Sequence, residues 1–268
     1  MHITLPWSLA STYERAATDA PRRITRPELV SDADLAALPS PVASYLRRVG
    51  VVGRPRVDSF RAVFRGEIRR TPDSDWMPFT AEQHTFIRPR TRLFFIRGKK
   101  FGVPFEALHA FQGDSATMRV RFASLFPIAD ARGPEMNQSE TVTFLNDMCL
   151  LAPATLIDSR IRWESVDEHA AIATFTHGGI SVSARLAFDD ERDLVDFVSE
   201  DRYMSANGTH YERFPWSTPV GQYRNYHGYR LASHGDAIWK RPDGDLHYGK
   251  FDLVDVEYDL PAKAPAVN

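Results

Sequence analysis

Hydrophobic and polar positions alternate with a period of two along most of this chain, and the period turns helical only near the start and once in the middle. From Val57, the residues Phe60, Ala62, Phe64, Gly66 and Ile68 alternate with Ser59, Arg61, Val63, Arg65 and Glu67, the pattern of a strand with one buried face. A turn follows at Thr71-Pro72-Asp73-Ser74-Asp75. Then Phe79, Ala81, Gln83, Thr85 and Ile87 alternate with Thr80, Glu82, His84 and Phe86 as the return strand. Residues 93–97, 103–111 and 116–126 predict three more strands, so that 57–126 is a meander whose neighbours pair in sequence order.

The period changes between Gly133 and Ile157. Asn137 followed by Glu140 predicts a capping box, after which Val142, Leu145, Cys149 and Ala152 share one helical face, widened by Phe144, Met148 and Leu151, until Pro153. The expected helix, 137–152, is apolar enough to pack hard against the sheet. Strands resume at 161–164, 170–176, 180–188 and 194–203, with a tight turn at Asn207-Gly208. Tyr223, residues 237–240 and residues 246–258 supply the last ones, around a hairpin turn at Pro242-Asp243-Gly244. Three shorter helical signals open the chain: residues 6–19, residues 33–38 capped by Ser31, and a helix opening at Ser40-Pro41 with Val42, Tyr45, Leu46 and Val49 on one side.

The expectation is a mainly β (α+β) protein with a large curled antiparallel sheet or half-barrel of about ten strands. One long helix is inserted mid-chain, and short helices precede the sheet. The expected division is an N-terminal helical segment over 1–55, one β-sheet domain over 56–259 and a frayed tail over 260–268.

Composition narrows the function classes. A net charge of −2 over 268 residues implies no general pull toward nucleic acid. Cys149 is alone, which excludes an internal disulfide and a Cys-rich zinc site and suits a buried inert thiol. None of the nine histidines has His-x-His or His-x-x-x-His spacing, so no metal and no cofactor is expected. Met1 to Trp7 lacks a basic region followed by a long apolar run, and no stretch has the length of a membrane span. A soluble cytoplasmic protein is the expectation.

Glu140 and Asp147 are seven residues apart on one helical face, about 10 Å, too far to share a proton. Each remains open as a single general acid or base, while capping and strand-end hydrogen bonding stay open for Glu140, Asn146 and Asp147. Asp201-Arg202 offers either an ion pair within the sheet or an arginine for an anionic head group. The basic residues of the first meander, Arg61, Arg65, Arg69, Arg70, Arg88, Arg90, Arg92, Arg97, Lys99 and Lys100, read mostly as a solvated face. Its aromatics exceed what a two-layer packing needs, which points to a cavity or groove. The expected ligand-binding residues are Trp76, Phe79 and Phe95, with a polar rim from Gln83, Asn146, Asp147, Arg202 and Tyr223.

Four blocks taken together carry a family resemblance. They are Leu38-Pro39-Ser40-Pro41-Val42 running to Tyr45-Leu46-Arg47-Arg48-Val49-Gly50; Glu140-Thr141-Val142 through Leu145-Asn146-Asp147-Met148 to Ala152-Pro153-Ala154-Thr155-Leu156-Ile157; Trp163-Glu164 with Phe197-Val198-Ser199-Glu200-Asp201-Arg202-Tyr203; and Ala237-Ile238-Trp239 with Pro242-Asp243-Gly244, Tyr248 and Val256-Glu257-Tyr258. In that order, over residues 35–259, they resemble a bacterial family of uncharacterised function whose members often carry an N-terminal membrane anchor, which is not expected here. The resemblance implies no activity and no cofactor. More loosely, strands, a helical insertion and further strands look like the half-barrel of periplasmic lipoprotein carriers, which hold acyl chains on a concave apolar face; this is an analogy of fold.

Three functions remain open from the sequence. One is a module binding a lipid-like, apolar or amphipathic small molecule. The second is a small-molecule enzyme using Asp147 or Glu140, its pKa raised by apolar walls. The third is a folded interaction module without a ligand. The expected partner is the small molecule, with no nucleic acid and no membrane span.

Overall fold

The structure is a computed structural model describing residues 8–20, 28–123, 126–205 and 208–260. The N-terminal residues 1–7, Asn207 of the expected turn and the tail 261–268 lie outside the described residues.

Helices α1 (Leu9–Asp19) and α2 (Ser40–Arg48) precede a six-stranded meander, β1 (Ser59–Ile68), β2 (Met77–Phe86), β3 (Thr91–Lys100), β4 (Val103–Gln112), β5 (Ser115–Phe122) and β6 (Phe126–Arg132). Helix α3 (Pro134–Leu150) follows, then a second meander of β7 (Ile161–Asp167), β8 (Ala170–His177), β9 (Ile180–Phe188) and β10 (Leu194–Ser199). Six short strands come next: β11 (Tyr203–Met204), β12 (Glu212–Arg213), β13 (Trp216–Ser217), β14 (Val220–Gly221), β15 (Arg224–Tyr226) and β16 (Tyr229–Leu231). The chain closes with the hairpin of β17 (His234–Arg241) and β18 (Gly244–Tyr258).

Among the described residues fourteen strands form one antiparallel sheet, in the order β6-β5-β4-β3-β2-β1-β18-β17-β13-β10-β9-β8-β7, with β14 also paired to β17. Edges at β6 and β7 leave it unclosed. The last hairpin sits between the two meanders, so the C-terminal strands join the first half of the sheet to the second.

The two sides of the first meander are covered differently. On one side α1 lays Leu9, Ala10, Tyr13 and Ala17 on Leu93, Phe95 and Leu108, a small separate core. On the other side α3 crosses the strands. Asn137 Oδ1 near its start accepts from the Ala116 amide on β5 (2.8 Å), and the Leu151 carbonyl just past its end accepts from the Tyr258 hydroxyl on β18 (2.5 Å). The same helix stacks Phe144 on Phe175 of β8, 6.1 Å between ring centres, so both meanders close on it. Helix α2 joins this main core through Val42, Tyr45 and Leu46, and the Tyr45 hydroxyl donates to the Cys149 carbonyl (2.9 Å).

Several sequence expectations are corrected. The long helix begins at Pro134, not 137: Gly133 turns the chain at φ 115° and Pro134 takes the first turn. The Asn137–Glu140 capping box does not form, because both side chains are drawn to partners on the sheet. The expected strand 116–126 is two, β5 and β6, whose link begins at Ala123 (φ 51°) and contains no Gly, Pro, Asn or Asp to announce it. The expected strand 194–203 stops at Ser199, which places Arg202 in a connection.

Candidate functional site

The face of the sheet beneath α3 can be read as transverse rows, since residues directly opposite on neighbouring strands point the same way. One row runs Phe60, Thr85, Arg92, Phe111 and Ala116 over β1 to β5, and the next runs Ala62, Gln83, Phe94, His109 and Met118. Helix α3 lies along these two. Its Asp147 Oδ2 accepts from Gln83 Nε2 (2.7 Å) and from Arg92 Nε (2.5 Å). Arg92 Nη1 donates to Glu140 Oε2 (3.2 Å), Arg92 Nη2 donates to Gln83 Oε1 (3.3 Å), and His109 Nδ1 is 3.4 Å from Glu140 Oε1. Gln83 Nε2 also donates to Thr85 Oγ1 (2.9 Å). Two carboxylates thus share one guanidinium in the core, all three side chains being less than a tenth exposed.

Burial taken alone would raise the Glu140 carboxyl, but the His109 hydrogen bond and the Arg92 charge outweigh it and hold it at about 2. Burial pushes Asp147 upward in spite of Arg92 and Gln83. Arg92, which burial would lower, is held above its ordinary value by the two carboxylates. Buried groups paired in this way rigidify a core, and removing one member strands the others. Two recesses stand out on the described surface, and neither includes Asp147, Glu140 or Arg202. One, of about 360 Å³, lies among Arg54, Pro55, His227, Tyr229, Glu257, Tyr258 and Asp259. The other, of about 120 Å³, lies among Arg61, Val63, Thr80, Ala81, Glu82, Phe95 and Arg97.

Farther from α3 the same face changes character. A third row runs Phe64, Ala81, Ile96, Ala107 and Val120. A fourth alternates glycine with phenylalanine across six strands: Gly235, Phe251, Gly66, Phe79, Gly98 and Phe105, each directly opposite the next, and it ends on Phe122 of β5. A Cβ on Gly98 would stand 2.4 Å from Cζ of Phe105, and one on Gly66 would stand 2.7 Å from Cζ of Phe79. The Phe79 and Phe105 rings occupy the space where side chains on Gly66 and Gly98 would stand, and only residues without side chains permit it. The aromatic surplus legible in the sequence is spent here, on covering the sheet. Phe60, Phe111 and Ala116 beneath α3 are 0% exposed, whereas Phe64, Ala81, Ile96, Phe105 and Ala107 keep 5–8%.

The expected site residues therefore divide. Gln83 and Asp147 meet in the network, and the neighbouring Asn146 donates to Thr218 Oγ1 (2.7 Å). Phe79 belongs to the glycine–phenylalanine row. Phe95 is on the opposite side of the sheet, stacked on Tyr13 at 5.3 Å. Trp76 packs with Arg69 and Lys250, whose strand neighbour Phe251 faces the other way. Tyr223 donates to the Leu194 carbonyl (2.8 Å) beneath Arg230. The Asp201–Arg202 ion pair does not form: Asp201 accepts from the Ser183 amide (2.7 Å) and pairs with Arg213. Arg202 instead lies over the Trp216 ring, 4.1 Å from its centre. Sequence reasoning missed Arg92 and His109. The continuous apolar run Leu93-Phe94-Phe95-Ile96 was the available signal, since a strand apolar on both faces has both faces covered.

Among the described residues no group of three or more His, Cys, Asp or Glu side chains is placed to hold a metal, and no helix is long and apolar enough to cross a membrane. No curated protein matches the chain. Among solved structures, the chain is similar to the LolA superfamily protein NE2245 from Nitrosomonas europaea, with 12% identity over 82% of this chain and 94% of that one at a TM-score of 0.43. It is also similar to a DUF1329 family protein from Desulfovibrio piger ATCC 29098, with 12% identity over 84% of this chain and 95% of that one at a TM-score of 0.44. From the segment before α2 into β18, residues 28–251 match one family model, and the chain belongs to that family of unknown function, DUF6544.

Proposed function

We propose that the protein binds an apolar or amphipathic, lipid-like small molecule in the strip between α3 and the glycine–phenylalanine row, the sheet acting as a half-barrel around it. The observation that carries the reading is the contrast in that strip. Its floor alternates large and small, Phe64, Ala81, Ile96, Ala107 and Val120, and retains slight exposure where Phe60, Ala62, Phe111 and Ala116 beneath the helix retain none. One wall is α3, held rigid by the Arg92 network. The other is a set of phenylalanine rings resting on glycines and packed edge-on against one another, Phe251 on Phe79 (5.4 Å between centres) and on Phe64 (6.4 Å), and these rings lift to admit a chain. Phe79 lines the strip directly, and Gln83 and Asp147 act through the wall they hold.

Asp147 and Glu140 suit this positioning role better than acid–base work. Both Glu140 oxygens are engaged by Arg92 and His109, and Asp147 Oδ2 by Arg92 and Gln83, and a general base must reach the proton it takes.

The test is titration of the native protein with a fluorescent fatty acid. Saturable binding is expected, weakened about tenfold or more by Ala107→Phe, which fills the floor of the strip. Well-folded protein without saturable binding would remove the reading and favour an interaction module instead.

A further inference from the structure

We infer that the molecule's head group is an oxyanion, carboxylate or phosphate, taken up by Arg202 and Tyr248 at the β13–β17–β18 end of the strip. The inference rests on the binding reading above and names the ligand's chemistry.

The end of the strip is built by a local irregularity. In the β17–β18 pairing, Ala237 is opposite Gly249 and Ile238 is opposite His247, so Tyr248 is the extra residue of a β-bulge. Bulges re-aim side chains. Here the bulge brings the Tyr248 ring against Trp239, 6.0 Å between centres and nearly parallel. Trp239 is directly opposite Trp216 on β13. Arg202 lies over both indoles, at 4.1 Å from the Trp216 centre and 5.2 Å from that of Trp239. A guanidinium held on aromatic faces keeps its charge and its planar fork while shedding part of its water.

The hydrogen bonds leave this group one acceptor short. The Tyr248 oxygen accepts from Arg202 Nη1 (3.0 Å) and from Trp216 Nε1 (3.0 Å), which leaves its own proton to donate. Arg202 Nε is buried with no partner among the described residues. Nε and Nη2 form the edge of arginine that takes a carboxylate or phosphate bidentately. No carboxylate pairs with Arg202 among the described residues: Asp201 pairs with Arg213, and Glu140, whose carboxyl feels the Arg202 charge, is committed to Arg92 and His109. A buried donor without an acceptor is costly, and a two-oxygen anion against Nε, Nη2 and the Tyr248 hydroxyl would satisfy it. The aromatic strip continues from this point through Phe251, whose ring covers Gly249 (2.6 Å from the position of a Cβ), so a chain attached to the anion has an apolar path to follow.

Matched amphiphiles test it, because the chain contribution cancels between them. Dodecanoate, dodecyl phosphate and dodecanol are titrated by calorimetry, below their micellar concentrations, into the parent protein, Arg202→Met and Tyr248→Phe. Expected for the parent is a preference of about tenfold or more for an anionic head over the alcohol. The stronger of the two anions identifies the head group. Arg202→Met should abolish the preference while leaving dodecanol affinity within about twofold, since Met keeps apolar contact with the indoles. Tyr248→Phe keeps the ring and should lose part of the preference; it carries the test if Arg202→Met does not fold. Equal binding of dodecanol and the anions by the parent, or an undiminished preference in both variants, overturns the head-group site and leaves the apolar strip standing. No binding of any amphiphile overturns both.

Discussion

The two ends of one sheet face solve the same problem in opposite ways. Beneath α3, a helix covers the strands, and the space between is sealed so completely that an arginine and two carboxylates lie inside it in mutual ion pairs. Six residues farther along the same strands no such charges occur, and glycines alternate with phenylalanines so that the sheet is covered by its own side chains. A polar lock thus sits beside an apolar, aromatic surface. The lock derives its strength from one guanidinium shared by two carboxylates, the other end from rings packed edge-on, Phe251 on Phe79 and Phe64. In the binding reading proposed above, α3 is the wall that stays and the phenylalanine rings are the wall that yields.

The lock is most sharply tested by Arg92→Met, which strands Glu140 and Asp147 without their cation and should cost about 3–5 kcal/mol. Urea denaturation measures it; a loss below about 1 kcal/mol would mean that the pairing is not the core of the wall.

Acid probes the same lock without mutation. The Glu140 carboxyl is lowered from 4.5 to about 2, so its stabilisation is complete above its unfolded value and is lost as the pH falls from 4.5 through about 2. By linkage this is worth about 3 kcal/mol. Asp147, which burial raises, works in the opposite direction and reduces the total. Glu140→Gln should flatten the acid limb of the stability curve, measured by melting temperature against pH, and an unchanged limb would assign acid sensitivity to other groups.

At the aromatic end, Gly98→Val puts a branched side chain where Phe105 lies, 2.4 Å from its ring, and also 2.9 Å from the Pro78 carbonyl. The expected cost is about 1–3 kcal/mol, together with altered fatty-acid binding as the ring is displaced. A variant as stable as the parent with unchanged binding would show that the rings do not form the wall.

The smallest effect belongs outside both ends. Gly244 closes the β17–β18 turn at φ 120° with open space around it, so Gly244→Val should cost roughly 1 kcal/mol through backbone strain alone and leave ligand affinity unchanged. Lost affinity in a stable variant would extend the site to this turn.

Local pattern made much of the architecture legible. The alternation at Phe60 to Ile68 and at Ile180 to Phe188 gave strands, Pro242-Asp243-Gly244 gave the hairpin, and the apolar stripe around Leu145 placed the helix within three residues of its start and two of its end. The site was legible only in fragments. The sequence marks Asp147 and Gln83 as polar groups beside an apolar face, but Arg92 reads with the solvated arginines, because alternation with its neighbours reports a face, not what covers that face. Phe95 and Trp76 were assigned with Phe79 because all three are aromatic and close in sequence, although they point to the other side of the sheet.

What the sequence determined by itself is whatever depends on neighbours along the chain: strand periods, turns, the helix, the lone buried thiol and the absence of metal-ligand spacing. What only the tertiary structure decided depends on register between distant strands. Gly66 faces Phe251 only because β18 inserts between β1 and β17, and Tyr248 meets Arg202 only because a bulge adds one residue to β18. A slip of one residue would send each side chain to the opposite face. Pairing of that kind is set by the packing of the whole sheet against α3, and no short window of sequence contains it.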